Sequence, residues 1–365
     1  MNAVERLDRR GGWIEVLRPL GWLFGAVSAV RRRLYDHGLL PSARVEVPVV
    51  CVGNLVAGGT GKTPVTADLV QRFAARGWRP GILVRGYGKA GVSGAEADEA
   101  RLYAELAPDV PLVAQPDRID GARRLIERGA DVVVMDDGFQ HRRLARDLDL
   151  VLVDAMRPWG LAQGPRAFLP RGLLREGPAA LRRAHALVLT RTDAVAPAAL
   201  AELEAELEAL APGVPRWLTR HAPVRLRTLA GVREPLGTLD GQVVDCASAL
   251  GAPAGFEATL RGLGAELGRV QRFPDHHEYT ARDFADRAKQ SDEPRRLVVT
   301  AKDAVKLREL ASAGELPAAV CDEIRVLDVA LEWVRGEGEL DALLGTLPEG
   351  RARRERGALH EGLHG

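Results

Sequence analysis

The first group of residues that could do chemistry is a glycine-rich segment, "GGTGKT", at residues 58–63. Its glycines allow backbone N–H groups to point into a concavity that fits a phosphate, and a helix beginning near Lys62 would add its positive end. Lys62 can reach the β and γ phosphates of a nucleotide, and the Thr63 hydroxyl can contribute to a Mg²⁺ site. The predicted nucleotide-binding residues are Gly58, Gly59, Thr60, Gly61, Lys62 and Thr63.

This segment departs from the usual phosphate-loop pattern, G-x-x-x-x-G-K-[ST], because Val56 stands where the first glycine is expected. An apolar strand-like run precedes the segment and a helix-like run follows it, which is the context that a phosphate loop requires. We therefore expect the turn to be entered differently while still binding phosphate. Partition-type ATPases carry an additional lysine just before the glycine pair, and Ala57 at that place weakens this alternative.

A second candidate is an acidic pair, Asp136 and Asp137, that ends the apolar run "VVVMDD". A strand ending there would deliver carboxylates to the carboxyl edge of the sheet, where such folds bind ligands. One carboxylate could hold Mg²⁺ through its water shell. Adjacent residues of a strand face opposite ways, so both need not touch the same ion. His141 nearby could contact substrate or cap a turn.

Two further clusters lie later in the chain. Asp275, His276 and His277 follow Pro274 in "RFPDHHEYT" and are candidates for proton transfer or for orienting a base. Metal binding is less favoured there, because no third ligand is evident at helical spacing. The segment "TRTD" from Thr190 is similar to the guanine-reading N/T-K-x-D element with an arginine for the lysine, and we interpret it as a strand end.

The elements that must position these residues alternate along the chain. Apolar strand-like runs separated by helix-like stretches predict an α/β fold of the phosphate-loop NTPase type, a mostly parallel sheet with helices on both faces. Beyond "APGVPRW" the same logic repeats in a smaller α/β domain. The predicted division is an amino-terminal helical segment, a phosphate-loop domain, the smaller domain and an irregular tail, at residues 1–44, 45–215, 216–348 and 349–365.

Composition and charge exclude some classes of function. The chain has 365 residues, 46% hydrophobic and 28% charged, with a net charge of +1, which argues against a general nucleic-acid binder. Three separated cysteines form no C-x-x-C pair, so neither a disulfide framework nor a zinc site is evident, and a reducing cytoplasm fits best.

The amino-terminal region predicts an amphipathic helix with an unusual surface. Residues 19–30, "PLGWLFGAVSAV", carry no charge, and three arginines follow at once. A helix of this run alone would reach about 18 Å, too short for a hydrocarbon core of ~30 Å, so we expect that it does not span a membrane. An interfacial anchor, with Trp22 and Phe24 among headgroups, and a helix packed on the domain both remain open.

These motifs, taken in order, resemble the tetraacyldisaccharide 4'-kinase family, the phosphate-loop kinases of lipid A biosynthesis. The segments that carry the resemblance are "LYDHGLLP", "VGNLVAGGTGKTP", "RGYG", "PDR", "DDGFQHRRLARDLDLVLVD", "LPRGLLRE", "FPDHHEY" and "TAKDAVKL". The resemblance implies transfer of the γ-phosphoryl group of ATP, with Mg²⁺, to the 4'-hydroxyl of an acylated glucosamine disaccharide 1-phosphate. It also implies a peripheral or monotopic enzyme on the cytoplasmic face of the bacterial inner membrane, with no nucleic acid and no obligate protein partner.

The resemblance gives roles to individual residues. Asp98 takes the place of the family's catalytic aspartate, although Ala97 and Ala100 replace the glycine and proline around it. Glu99 takes that of a metal-side carboxylate, and His276 matches the histidine thought to pair with the aspartate.

The remaining matches lie in the phosphate-loop domain. Lys62 and Thr63 match the phosphate and Mg²⁺ residues, and the acidic pair supplies Asp136 to the metal and Asp137 to catalysis. Matched arginines and a glutamate could meet substrate phosphate or order the cleft. The candidate substrate-binding residues are Arg118, His141, Arg175 and Glu176.

Two other classes of protein remain open from the sequence. A nucleotide-switch or metallochaperone-type NTPase acting on a protein partner would use the same loop and would give "TRTD" a role. A membrane-recruited binding module would hold nucleotide without turnover. Comparing ATP hydrolysis with and without a lipid acceptor separates the three.

Overall fold

The computed structural model describes residues 7–8, 11–86, 102–103, 107–161, 166–250, 253–274, 277–284, 287 and 295–349. The chain forms two compact units, one of residues 1–220 with 333–365 and one of residues 221–332. The sequence-based division differs, because it gave all of residues 216–348 to the smaller domain, whereas the chain returns to the first unit at Trp333.

The first unit is built on a parallel sheet, which confirms the predicted fold class. Apolar and β-branched residues dominate its central strands, as expected for strands covered on both sides. The spatial order is β3-β2-β4-β1-β5-β6-β7. The strands are β1 (Val49–Asn54), β2 (Pro80–Val84), β3 (Leu112–Ala114), β4 (Val132–Asp136), β5 (Leu148–Asp154), β6 (Ala186–Thr190) and β7 (Arg216–Thr228).

Helices connect these strands. A side chain fixes the start of the helix Arg118–Glu127. Asp117 caps this helix by accepting hydrogen bonds from the backbone N–H groups of Ile119 and Asp120. Short 3-10 helices cover Trp13–Leu17, Pro178–Arg183 and Thr192–Ala194. The α-helices are α1 (Arg18–Asp36), α2 (Lys62–Ala75), α3 (Arg118–Glu127) and α4 (Pro197–Leu210).

The second unit repeats the alternation, which confirms a smaller α/β unit. Four parallel strands lie in the order β10-β9-β11-β12, and β8 pairs antiparallel with the later part of β7. The strands are β8 (Arg233–Glu234), β9 (Val243–Ser248), β10 (Glu266–Arg272), β11 (Leu297–Thr300) and β12 (Ile324–Arg335). The helices are α5 (Pro253–Gly262), α6 (Ala301–Ser312) and α7 (Ala318–Glu323), with 3-10 helices at Leu236–Leu239 and Ala281–Phe284.

After β12 the chain ends its described part with α8 (Glu337–Gly345), which packs in the first unit. Arg72 of α2 forms ion pairs of 2.5 Å with Glu337 and 2.8 Å with Asp341. The Trp333 indole N–H donates to Asp68 over 3.0 Å. Charges far apart in sequence therefore attach the returning segment to α2.

The amino-terminal helix α1 is longer than the uncharged run, because it includes Arg18, the three arginines and Asp36. Its 19 residues reach about 29 Å, and with the preceding 3-10 turn it is long and apolar enough, by length and composition alone, to cross a membrane. The expectation that it is too short to span was wrong.

One side of α1 docks on the first unit. A Cβ on Gly25 would lie 2.5 Å from the Phe168 ring, and one on Gly21 3.1 Å from the Phe168 carbonyl oxygen. The Ser28 hydroxyl donates to the Arg175 carbonyl over 3.2 Å. The absence of side chains at the two glycines thus permits close backbone approach.

Strand β1 also approaches its neighbour closely. A Cβ on Gly53 would lie 2.5 Å from the Phe139 Cβ and 2.9 Å from the Phe139 backbone nitrogen. Phe139 is buried and lies two residues after Asp137. The contact therefore fixes the distance between β1 and the turn that follows β4.

We predict that Gly53→Ala destabilises the protein by about 1–3 kcal/mol, because the added methyl group overpacks a backbone contact. Gly345→Ala is the matched control, since a Cβ there meets nothing within 4 Å. Urea unfolding followed by circular dichroism should show a lower midpoint for Gly53→Ala only. Equal midpoints for the two variants would contradict the close approach.

Candidate active site

The glycine-rich segment forms the turn between β1 and α2. Gly61 has a left-handed conformation, φ 84°, and precedes the first residue of the helix, and Gly58 has φ 120°. The N-cap residue of this helix is Gly61, which has no side chain with which to cap it. The first N–H groups of α2 are therefore left for a ligand, as a bound phosphate requires.

Side chains at the carboxyl ends of β1 and β6 form hydrogen bonds with this turn. The Asn54 amide donates to the Thr60 hydroxyl over 2.8 Å, and the Thr190 hydroxyl donates to the Thr60 carbonyl over 2.9 Å. Arg191 donates to the Gly59 carbonyl over 2.9 Å. Because these contacts hold two successive carbonyl groups, the conformation of the loop is fixed before any nucleotide binds.

The residue at the missing glycine has a different structural task. Val56 is buried and forms an isolated antiparallel bridge with Leu174. On either side of it the Ala57 N–H donates to the Leu173 carbonyl over 2.7 Å, and the Arg175 N–H donates to the Leu55 carbonyl over 2.7 Å. The loop is thus entered through a strand-like pairing, which suits a β-branched residue rather than a glycine.

This pairing delivers Arg175 to the acidic pair. The Arg175 guanidinium donates to both carboxylate oxygens of Asp137, over 2.8 and 2.7 Å. The Lys62 ammonium lies 3.5 Å from the same carboxylate. Asp137 has φ 52°, so it has left the strand conformation, and the rule that strand neighbours face opposite ways does not apply to this pair.

The two carboxylates have opposite electrostatic environments. Burial alone would raise the pKa of Asp137, but Lys62 and Arg175 hold it well below its ordinary value. Burial raises the pKa of Asp136, which is 2% exposed. The Tyr103 hydroxyl donates to one Asp136 oxygen over 2.6 Å, and the other oxygen is buried without a partner among the described residues.

Two basic candidates lie around this pair. Arg118, the first residue of α3, is 3% exposed and donates to the carbonyls of Val84 and Gln115, and burial lowers its pKa to about 10. Its Nε and Nη2 atoms have no partner within the described part of the chain. Burial and nearby arginines lower the pKa of His141 to about 4, so its imidazole is neutral at pH 7.

Glu176 is held by the protein itself. Its carboxylate accepts from Arg183 over 2.5 Å and from Gln140 over 3.5 Å, and its residue is 6% exposed. The Arg183 Cζ atom also lies 3.6 Å from the centroid of the Phe139 ring, in a cation–π contact. This geometry supports a role in ordering the segment after the acidic pair rather than in contacting substrate phosphate.

Asp98, Glu99 and His276 lie outside the described residues. In the second unit, the neighbouring His277 stacks on Phe273 with ring centroids 4.7 Å apart, and its Nε2 lies 3.1 Å from Asp283. His277 is therefore held by packing and by Asp283 within the second unit.

Several site residues escaped the reading of the sequence. Tyr103 lies 33 residues before Asp136, and Arg183 lies seven residues after Glu176, outside the motif that contains this glutamate. Arg191 could have been found, because "TRTD" resembles a known nucleotide-binding element.

Comparisons with known proteins agree over nearly the whole chain. A family model described as Tetraacyldisaccharide-1-P 4'-kinase matches residues 13–348. A tetraacyldisaccharide 4'-kinase of Anaeromyxobacter dehalogenans (strain 2CP-C) is 42% identical over 363 residues, 91% of this chain and 93% of that one. One of Xanthomonas campestris pv. campestris (strain 8004) is 38% identical over 325 residues, 83% and 88% of the two chains.

A solved structure is similar as well. The crystal structure of LpxK from Aquifex aeolicus in complex with ATP has a TM-score of 0.68 and 30% sequence identity. The similarity covers 91% of this chain and 98% of that chain.

We predict that Lys62→Ala and Thr63→Ala each lower turnover of a bound nucleotide by roughly 10²-fold or more, because the loop pattern predicts that Lys62 contacts the phosphates and Thr63 the Mg²⁺. Lys302→Ala, on α6, is the matched control. Circular dichroism should show all three variants folded, because Asp137 keeps Arg175 as a partner. Unchanged turnover in both loop variants would remove the phosphate-loop assignment.

Proposed function

The chain belongs to the tetraacyldisaccharide-1-P 4'-kinase family, and we propose that its reaction takes place around Asp137 and the two cations that hold it. The enzyme is a kinase of lipid A biosynthesis that uses ATP to phosphorylate the 4'-hydroxyl of a tetraacyldisaccharide 1-phosphate. A nucleotide switch or metallochaperone-type NTPase is not favoured, because the family match spans residues 13–348.

The observation that carries the proposal is the shared partner of Lys62 and Arg175. Both cations contact one carboxylate beside the N-terminus of α2, where the N-cap residue Gly61 has no side chain to cap the N–H groups. Phosphoryl transfer passes through a loose transition state with charge spread over the equatorial oxygens, so positioned cations are the main requirement. Asp137 would orient both cations, and the two would neutralise charge on the moving phosphoryl group.

The residues present fit a magnesium ion, which prefers oxygen ligands. One oxygen of Asp136 is buried and has no partner among the described residues, although burial makes an uncompensated carboxylate costly. Thr63 and Asp136 would hold the ion, with Glu99 added by the resemblance to the family. When bound, the ion supplies charge neutralisation at the phosphate oxygens.

Proton removal from the sugar hydroxyl falls to other groups. Asp137 is a poor base, because Lys62 and Arg175 lower its pKa. The resemblance to the family supports Asp98 as the group that accepts the proton and His276 as the residue that orients it. His141, neutral at pH 7, can exchange hydrogen bonds with the acceptor without repelling Arg118.

The acceptor lipid implies a membrane setting. Each buried CH₂ group gains about 0.8 kcal/mol, so a multiply acylated disaccharide scarcely leaves the bilayer. We propose that α1 brings the enzyme to that surface, because large apolar side chains on α1 and the turn before it are exposed. They are Trp13, Val16, Leu20, Trp22, Leu23, Phe24, Val27 and Val30.

We propose that α1 lies along the membrane surface rather than across the bilayer. The opposite side of α1 packs on the rest of the first unit through Gly21, Gly25 and Ser28. If α1 crossed the bilayer, the loop around Phe168 would have to lie in the hydrocarbon, where its backbone polar groups would lack water. The buried Arg171, paired with Glu15 at 2.6 Å, fixes the turn before the helix as well. Since ATP is cytoplasmic, the enzyme would sit on the cytoplasmic face of the inner membrane.

The central experiment is incubation with γ-labelled ATP and a tetraacylated disaccharide 1-phosphate, followed by lipid extraction. We predict that Asp98→Ala and His276→Ala each lower kcat far more than they raise the KM for ATP. The double variant should be little worse than either single variant, because residues that act as one unit are not additive. The product measured is label in the lipid phase.

Glu315→Ala, at an exposed glutamate of the second unit, is the matched control. Fully multiplicative losses, or normal kcat in His276→Ala, would show that the two residues do not act together. If the unaltered enzyme transferred no label to the lipid, the proposed phosphoryl transfer from ATP to the lipid acceptor would be contradicted.

We predict that Leu23→Glu with Val27→Glu lowers binding to anionic phosphatidylglycerol vesicles by at least about tenfold, because charges replace exposed apolar contacts. Co-sedimentation measures the bound fraction, and detergent should release the unaltered protein more completely than salt does. Val232→Glu, at an exposed valine of the second unit, is the control. Equal sedimentation of all three proteins would place the anchor elsewhere.

A further inference from the structure

The segment Thr190–Asp193 lies at the end of β6, where Thr190 and Arg191 hold the phosphate loop, but Asp193 has had no part in the site described so far. Arg191 adopts a left-handed conformation, φ 56°, which is uncommon for a residue with a side chain. That conformation lets its guanidinium pair with Asp154 and donate to the Gly59 carbonyl. The segment is therefore attached to the phosphate loop and is more than the strand end that its sequence indicates.

The sheet order gives a direction to a nucleotide bound at the loop. Lys62 and Asp137 mark where the terminal phosphate reacts, and Asp137 follows β4. Strand β4 lies on one side of β1, whereas β5 and β6 lie on the other. A triphosphate whose reacting end points toward β4 thus extends its nucleoside end toward the carboxyl end of β6.

Asp193 stands at that end in the first turn of the 3-10 helix Thr192–Ala194. It is exposed, and its carboxylate has no hydrogen bond or ion pair within the described ranges. The neighbouring Thr192 is buried and donates to the Thr219 carbonyl over 3.0 Å, which fixes the turn. The turn that holds Asp193 is therefore fixed by Thr192, and the Asp193 carboxylate is available to accept a hydrogen bond.

We propose that Thr190–Asp193 forms the base-binding end of the nucleotide site, with the Asp193 carboxylate accepting a hydrogen bond from the exocyclic amino group of adenine. The inference rests on the proposed use of ATP at this loop and names the residue that recognises the base. An ionised carboxylate is an acceptor only, and the 6-amino group is the only donor on the adenine ring. Donor and acceptor chemistry therefore match at one position.

Arg191 has a different role in this site. Its planar guanidinium serves the Asp154 carboxylate and the Gly59 carbonyl together, which a lysine, as a point charge, does not reproduce. It is a positioning residue that joins the base-binding end to the phosphate loop. Arg191→Lys should raise the KM for ATP and for an analogue without the amino group by the same factor.

The test is a double-mutant-type cycle, in which one change is made in the protein, at Asp193, and one in the nucleotide, at its amino group. ATP is compared with purine riboside 5'-triphosphate, which carries hydrogen in place of the amino group, in the unaltered enzyme and in Asp193→Ala. We expect the unaltered enzyme to lose about tenfold in kcat/KM with the analogue, the equivalent of one hydrogen bond. Asp193→Ala should show the same loss with ATP and no further loss with the analogue.

Asp109→Ala, at another exposed aspartate of the first unit, is the matched control and should keep the full preference for ATP. Multiplicative losses in the cycle would overturn the assignment of Asp193. A preference of the unaltered enzyme for GTP over ATP would overturn adenine as the base, because the N1–H and 2-amino groups of guanine would then be the donors to Asp193.

The same cycle is measured as Kd by calorimetry, which separates this inference from the proposed function. If the unaltered enzyme transfers no phosphoryl group to lipid, the proposed reaction fails, while the binding cycle still supports or overturns the base site. Non-additive Kd values support it, and additive ones overturn it.

Discussion

The Asp137 carboxylate, held between Lys62 and Arg175, is the interaction on which the site depends. Its three members come from the start of α2, the turn after β4 and the segment paired with Val56. A buried carboxylate with one partner removed is costly, so these three segments are held in one arrangement. The left-handed turn at Asp137 costs of order 1–3 kcal/mol, which the two charge-assisted contacts offset.

This arrangement also separates two neighbouring carboxylates electrically. Asp137 is kept ionised by its cations, while burial disfavours the charged form of Asp136 until a positive partner approaches. Adjacent residues can then serve different tasks, one fixing side chains and one awaiting an ion. A pair of equally solvated aspartates on a surface turn would have no such division.

Much of this was predictable from the sequence, for identifiable reasons. The glycine-rich loop, the acidic pair and the alternation of strands and helices are local patterns, so they predict the parallel sheet and the candidate nucleotide site. Partners distant in sequence left no such pattern, as for Tyr103 on Asp136 and for Arg72 on Glu337. The length of α1 was underestimated because charged residues were taken to end the helix. Instead, Arg31 lies within the helix and donates to the Gln140 carbonyl, and Asp36 at its last turn pairs with Arg142.

The contact of Gly25 with the Phe168 ring has a consequence for how sequences of this family can diverge. The ring occupies the volume that any side chain at position 25 would need, so a larger residue at position 25 is not compatible with phenylalanine at position 168. A larger residue in the helix would require a smaller one in the loop, and the two sites should co-vary among homologues. Because that loop continues to Arg175, such paired exchange would be constrained by the need to keep the guanidinium on Asp137.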